Sequence, residues 1–394
     1  MDIKRIQEEL RKYNLDGWLF CDFHNRDQIA YKVLGMDGSK MCTRRWFYFI
    51  PAEGEPKKLV HSVEKTKLDT LPGTKAVYLP YNQLHQLLKE MLGNPKKIAM
   101  QYSPYNDIPY VSLVDGGTIE LVRKFGHEVV SSADLVQTFE ALIDEEGYKL
   151  HLQAGELVQE IKNQAFKEIE RAIKAGEKVT EYDIQQFIAK KFKENNLQND
   201  GEDPIVGVNE HPADPHFEPT PENSYVIKKG DTLLIDLWAK MDVPGGIYYD
   251  ITWSGFVGKN PPPKYVEIFN VVRDARDAAV NFIREKFDKK EVCYGWEVDD
   301  ACRKVVSEAG YGQYFTHRTG HSIGDCVHGN GVNIDNLETK DSRQIVPGIC
   351  FSIEPGIYLE GEMAVRTEID VFVTLKGEVV VAGEVQKELV LLDV

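Results

Sequence analysis

Four acidic residues stand inside or beside runs of apolar, strand-patterned sequence: Asp236 in Leu233-Leu-Ile-Asp-Leu, Asp250 in Ile247-Tyr-Tyr-Asp-Ile, Glu354 in Ser352-Ile-Glu-Pro-Gly and Glu368 in Val365-Arg-Thr-Glu-Ile. Burying an unpaired carboxylate is costly, so each of these positions would gain by being Val or Ile unless the acid had a partner. That requirement constrains the fold more than any bulk property, because segments far apart in the chain must bring their acids to one place. His321, in Thr319-Gly-His-Ser-Ile-Gly324, adds an imidazole to the set. One histidine and four carboxylates are what two hard or borderline divalent ions need, and four negative ligands balance two dications.

The rest of the chain bounds the possibilities. At 394 residues it is long enough for two domains and a large core, and 42% apolar with 28% charged residues is ordinary for a soluble globular protein. A formal charge of -16 would repel a phosphate backbone or an anionic bilayer, so neither nucleic acid nor membrane is expected as a partner. Six cysteines, at 21, 42, 293, 302, 326 and 350, form no CxxC pair and no regular framework, which points to reduced thiols in the cytoplasm. The amino-terminal stretch is charged and helical in pattern, without an apolar signal core, and no run reaches the ~20 apolar residues of a membrane helix.

Taken in order, residues 4–13 pattern as a short amphipathic helix and residues 17–23 as a buried strand. Further strands are expected at 45–50, 58–61, 75–79 and 97–100, with a helix over 83–92 that stops at Gly93-Asn-Pro. Strands interleaved with helices imply an α/β layer domain. Ser131-Ser-Ala-Asp134 is expected to cap a helix running to about Glu146, broken at Gly147, which places a domain boundary near 150 and gives domains of 1–150 and 151–394. Leu157, Val158, Ile161, Ala165, Phe166, Ile169, Ala172 and Ile173 line one face of the next helix, and Thr180-Glu-Tyr-Asp183 has the form of a capping box for another. Strands from Ile205, helices over roughly 264–287 and 297–309, and strands again to the end suit an α+β domain with helices on one side of a mostly antiparallel curved sheet.

Side chains on a strand alternate faces, so Asp250 shares a face with Thr252, and Arg366 with Glu368. His321 and His328 lie among Gly320, Gly324, Gly329 and Gly331, which predicts a loop rather than a helix. His24, His61, His85, His127 and His151 read as ordinary polar residues, while His211 and His317 stay open between cleft and scaffold.

With these motifs in hand, the chain resembles the pita-bread metallopeptidases, in the branch of the Xaa-Pro dipeptidases (prolidases) and Xaa-Pro aminopeptidases. The resemblance runs over nearly the whole chain, with a creatinase/prolidase-like α/β N-terminal domain before a pita-bread catalytic domain. The spacing of the two glutamate motifs, fourteen residues from Glu354 to Glu368, fits the prolidase form. The resemblance implies a dinuclear peptidase that hydrolyses Xaa-Pro bonds at the N-terminus of dipeptides or short peptides through a metal-bridging hydroxide. Asp236 would chelate one ion, Asp250 and Glu368 would bridge both, and His321 and Glu354 would hold the other. Manganese is the first expectation, with cobalt, zinc or iron as alternatives. Glu354 would also shuttle a proton, His216 and His328 would hydrogen-bond the scissile carbonyl, and Arg366 would orient Glu368 and face the substrate. A homodimer is implied as well, with a small peptide as the substrate partner.

The chain also departs from the family pattern. Trp253 follows Asp250-Ile-Thr where the family often has Arg, Leu-Trp-Ala follows Asp236 in place of a small residue and Gly, and the two aspartates are fourteen apart, with Asp242-Val-Pro-Gly-Gly246 enlarging the hairpin. Trp238, Trp253, Phe217 and Tyr358 are candidates for the wall of a proline pocket, with core packing the commoner role for such residues, and Lys340 and Arg343 are candidates for gripping a substrate carboxylate, with a surface role as the alternative. Two other readings share the fold: a metal-free C–N hydrolase of the creatinase type and a non-catalytic peptide-binding protein. Both expect eroded metal ligands, and all five positions are filled.

Overall fold

The computed structural model describes residues 2–214 and 217–394, in two compact units, residues 1–140 and 141–394. The first holds a six-stranded sheet built from β1 (Gly17–Asp22), β2 (Trp46–Pro51), β3 (Lys57–His61), β4 (Thr74–Tyr78), β5 (Lys97–Met100) and β6 (Glu128–Ser131), in the order β4-β3-β2-β1-β5-β6. β2 runs antiparallel to β1 and β3, and the remaining pairs are parallel. Both faces are covered. Trp18 and Phe20 of β1 pack with residues of α1 (Ile3–Lys12) and α2 (Gln28–Leu34), whereas Leu19 and Cys21 pack with α3 (Tyr81–Leu92) and α4 (Gly116–Lys124). Burial on both sides is why these strands read as unbroken apolar runs.

The helix expected to run to Glu146 does not form. α5 (Ala133–Val136) passes into a wider helical turn over Gln137–Ala141 and the chain then breaks. A fresh helix, α6 (Glu145–Lys174), starts at Asp144, whose carboxylate accepts the Gly147 N–H. Gly147 is thus the third residue of a capped helix rather than a breaker: the N-cap aspartate outweighs the low helix propensity of one glycine. Residue 150 falls inside α6, and the division between units lies at Glu140/Ala141.

In the second unit α7 (Glu181–Glu194) opens with the capping box of Thr180 and Asp183. β7 (Leu197–Gln198), β8 (Ile205–Val208), β9 (Thr232–Met241) and β10 (Tyr249–Phe256) follow, then α8 (Pro263–Asp288) and α9 (Gly295–Glu308). The chain closes with β11 (Ser322–Ile323), β12 (Cys350–Ile353), β13 (Gly356–Leu359), β14 (Met363–Arg366), β15 (Ile369–Val373), β16 (Val379–Val381) and β17 (Val390–Leu391). Except for β10–β17, the pairings are antiparallel.

Strand alternation sorts this unit into two faces. Leu233, Ile235, Leu237 and Ala239 of β9 and Tyr249, Ile251 and Trp253 of β10 enter a core with α6 and α7. Phe351 and Ile353 of β12 and Ile369, Val371 and Val373 of β15 enter a second core with α8 and α9. The helices take one face of each sheet, and the acidic residues are left on the other. Among the described residues no helix is long and apolar enough to cross a membrane.

Candidate metal centre

β9 and β10 pair with Thr252 opposite Asp236 and Asp250 opposite Trp238, which fixes the two aspartates on one face. β15 is stitched to β10 by the Glu368 N–H donating to the Thr252 carbonyl (3.0 Å), and the Asp250 N–H donates to the Asp370 carboxylate (2.8 Å). β11 pairs with β12 so that His321 follows the Ser352 row, its N–H donating to Ser352 Oγ (3.0 Å). That approach needs Gly320, because a Cβ there would run into the Ser352 carbonyl. Residues as far apart in the chain as Asp236 and Arg366, 130 positions, thereby share one cluster.

Asp250, His321 and Glu368 each offer a ligand atom within 4.8 Å of the others, and all three are buried. His321 Nε2 lies 3.6 Å from Asp250 Oδ2 and 3.5 Å from Glu354 Oε1. Thr252 Oγ1 donates to Glu368 (2.7 Å), and Ser352 Oγ donates to Glu354 (3.1 Å). Arg366 pairs with Asp236 while its Nε donates to Thr252 Oγ1 (3.0 Å) and its Nη1 to the Tyr358 hydroxyl (3.1 Å). Behind it, His317 Nδ1 meets the Arg318 carbonyl (2.7 Å), so Nε2 is left to accept the Tyr358 hydroxyl (2.6 Å).

The electrostatics are those of a site short of positive charge. Burial, then the neighbouring Asp236, Asp370 and Glu354, push Asp250 well above the usual carboxylate range. Glu368 is raised in the same way by burial and by Asp250 and Glu354. Burial raises Asp236 too, against the pull of Arg366. Burial and nearby His328 and Arg318 hold His321 well below an ordinary histidine, so its ring is a neutral lone-pair donor. Asp236 Oδ1 and Asp250 Oδ1 are buried with no hydrogen-bond partner among the described residues. Such atoms are costly unless something cationic meets them. A neutral imidazole, unpartnered carboxylate oxygens and hard oxygen donors fit one or more divalent ions.

Of the residues singled out from the sequence, Asp236, Asp250, His321, Glu354, Glu368 and Arg366 come together here. His328 is exposed, its ring packed edgewise on His321 at 4.4 Å between centroids. His216 lies outside the described residues. His211 is instead clasped by buried Glu181 (2.9 Å) and stacked on Phe217 and Tyr225. His317 and Tyr358 are committed to the Arg366 network. Trp253 takes the core role rather than the pocket wall: alternation turns it to the opposite face, where Lys162 Nζ sits 3.2 Å from its ring centroid in the α6 core. Arg343 is buried in a pair with Asp341, and Lys340 lies over Trp296, so neither is held free to grip a substrate. Asp370 and Ser352 went unremarked, although both lie two residues from a singled-out glutamate.

A model of the metallopeptidase family M24 matches residues 154–375. An uncharacterised peptidase of Staphylococcus saprophyticus is 29% identical over 274 residues, 67% of this chain and 69% of that protein. The probable dipeptidase PepE of Mycobacterium tuberculosis is 34% identical over 175 residues, 44% of this chain and 42% of that protein, so the match spans less than half of PepE. The crystal structure of a recombinant prolidase from Thermococcus sibiricus covers 100% of both chains with a TM-score of 0.64 at 23% identity, a likeness of fold.

Proposed function

Since the chain belongs to metallopeptidase family M24, we propose that it hydrolyses Xaa-Pro bonds at the N-terminus of dipeptides or short peptides at a dinuclear site held by Asp236, Asp250, His321, Glu354 and Glu368. The observation that carries this is the buried convergence of Asp250, His321 and Glu368 within 4.8 Å, with Glu354 and Asp236 adjoining. When bound, the divalent ions supply Lewis acidity towards a peptide carbonyl and lower the pKa of water towards neutrality.

The protein's own groups divide the remaining work. Thr252 and Ser352 hold one oxygen each of Glu368 and Glu354, fixing the carboxylates before substrate arrives. Glu354 is the most open of the acids flanking His321, its side chain 14% exposed against 6% for Asp250, which suits it to hold a proton and pass it to the leaving amine. Arg366 neutralises Asp236 and ties it to Thr252. The exposure of His328 beside His321 supports a role in hydrogen-bonding a carbonyl oxygen, and the same role is proposed for His216. The Xaa-Pro amide lacks an N–H and resists enzymes that read the backbone as a strand; a site that polarises the carbonyl does not need that N–H.

A homodimer and a cytoplasmic location belong to the same proposal. What supports the first is that β1, β3, β4 and β5 run in one direction, and beyond their carboxyl ends Phe23, Val63, Leu79, Tyr81 and Tyr105 are exposed. The second is supported by six cysteines, none of which is in a disulfide. Product analysis of manganese-loaded protein on Leu-Pro, Leu-Pro-Pro and Leu-Ala, with and without chelator, tests the activity. Chelator-sensitive release of leucine from the proline peptides alone is the expected result; cleavage insensitive to chelator, or none, rejects it.

A further inference from the structure

The acidic face does not stay polar along the sheet. Moving one strand position pair in the same direction, Asp250 gives way to Tyr248, Asp236 to Trp238, His321 to Ile323, Ser352 to Cys350 and Asp370 to Phe372. The registers make these changes coincide: His321, Ser352 and Asp370 form one row across β11, β12 and β15, and Ile323, Cys350 and Phe372 form the next. The Tyr248 N–H donates to the Gly324 carbonyl (2.9 Å), bringing β10 into that second row. Ile143 and Ile247 complete the apolar cluster, and Trp238, Tyr148 and Val327 are packed against it, only partly buried. The site is thus bounded on one side by an apolar ledge.

Trp238 is the largest side chain on that ledge and the one nearest the acids. It lies directly across from Asp250, on the same strand face, and opposite residues of an antiparallel pair have Cβ atoms about 4.5–5.5 Å apart. It is half-buried, so part of the indole stays open, and its Nε1 is buried without an acceptor among the described residues. Val327, the residue before His328, closes the same side. Resting on the reading of the acidic cluster as a peptidase site, we propose that Trp238 is a specificity-determining residue. Its indole walls the cleft beside Asp250 and selects a bulky apolar side chain next to the scissile bond over a small or charged one.

The experiment compares kcat/KM for Ala-Pro, Leu-Pro, Phe-Pro and Asp-Pro in the manganese-loaded wild type, Trp238→Ala and Trp238→Phe. In the wild type Leu-Pro and Phe-Pro should exceed Ala-Pro and Asp-Pro. Trp238→Ala should lose roughly tenfold on the two bulky substrates through KM, while Ala-Pro stays within about twofold; tenfold corresponds to about 1.4 kcal/mol. Trp238→Phe, which keeps an aromatic ring in the apolar packing, should restore most of the preference. Loss by one common factor on all four peptides, or no change, overturns the proposal. If the wild type cleaves none of them, the Xaa-Pro reading fails on its own account. The wall is then judged by tryptophan fluorescence titration with free leucine: a response in the wild type that Trp238→Phe lacks supports it, and equal responses overturn it.

Discussion

Replacing Asp250 by Asn should make the metal-free protein more stable and the metal-loaded protein less so. In the absence of ions Asp236, Asp250, Glu368 and Asp370 all hold their protons above the unfolded range, by burial first; neighbouring acids add to this at Asp250 and Glu368, while Arg366 opposes it at Asp236 and the Asp250 N–H opposes it at Asp370. The folded state therefore binds more protons than the unfolded one above about pH 4, and stability falls as pH rises through the raised values. Asp250 and Glu368 offer oxygens within 4.8 Å of each other. Two unit charges at that distance repel by about 3 kcal/mol at an effective dielectric of 20. Removing one charge should raise the melting temperature of chelated protein by ~6–12 °C at pH 8–9, using ~2–4 °C per kcal/mol for a unit of this size. The gain should shrink towards pH 5, where the folded acids keep their protons and no longer repel one another, while the unfolded ones are already ionised. Manganese at a thousand times its dissociation constant stabilises the wild type by about 4 kcal/mol through mass action, and the variant should lose most of that. Scanning calorimetry of both proteins, chelated and manganese-loaded, at three pH values reads all of this. A chelated variant that melts at or below chelated wild type at pH 8–9 refutes the reasoning, because the acids would then not be an unneutralised cluster.

Three further outcomes are expected. Glu354→Gln should abolish turnover yet melt within a few degrees of wild type; retention of most activity in a product assay would reject its proton-carrying role. Lys162, buried over Trp253, is pushed down to about 8 by burial, with Glu384 opposing. The folded protein thus binds fewer protons than the unfolded one between about pH 8 and 10.5, and gains stability as pH rises there. Lys162→Met should lack that gain, so urea midpoints of the two proteins should converge from pH 7.5 to 10, with the variant the more stable at pH 7.5. Of the six cysteines, none in a disulfide, only Cys326 is exposed, so a thiol reagent should modify one equivalent in native protein and six in urea.

Much of this site was legible because strands alternate. Asp250 with Thr252 and Arg366 with Glu368 follow from period two alone, and the same arithmetic places Trp238 with Asp236 and sets Trp253 against Asp250. That alternation decides between wall and core for Trp253, and its packing on Lys162 is the consequence. Asp370 obeys the rule as well, two residues beyond Glu368. What alternation could not supply is register between distant strands: the chain from Asp236 through Arg366 and Tyr358 to His317 exists only because β13 and β14 form a hairpin beside β9 and β10. Local signals failed where two competed. Ser131-Ser-Ala-Asp134 opens only the short α5, and the long helix is the one that starts at Asp144, whose apolar face, from Val158 to Ala172, has a sheet to bury against.

The acids make sense only as a group. Asp236, Asp250, Glu354, Glu368 and Asp370 place five carboxylates around one side of the sheet, and the guanidinium of Arg366 reaches Asp236 alone among them by direct pairing. Each acid is anchored by a strand hydrogen bond or a hydroxyl that presupposes the fold, and each of the buried ones would be better replaced by an apolar residue if folding were the only requirement. Stability is therefore spent locally to hold charge in a fixed array, which is the arrangement that favours a preorganised ligand site over a merely stable core. The apolar ledge that begins one position away, at Trp238, Ile323 and Phe372, keeps water from relieving that repulsion on its side. The same feature that makes the metal-free cluster unfavourable gives a bound cation its strong field and a substrate side chain its wall, so metal affinity and side-chain preference should respond to separate substitutions on neighbouring positions of β9 and β10.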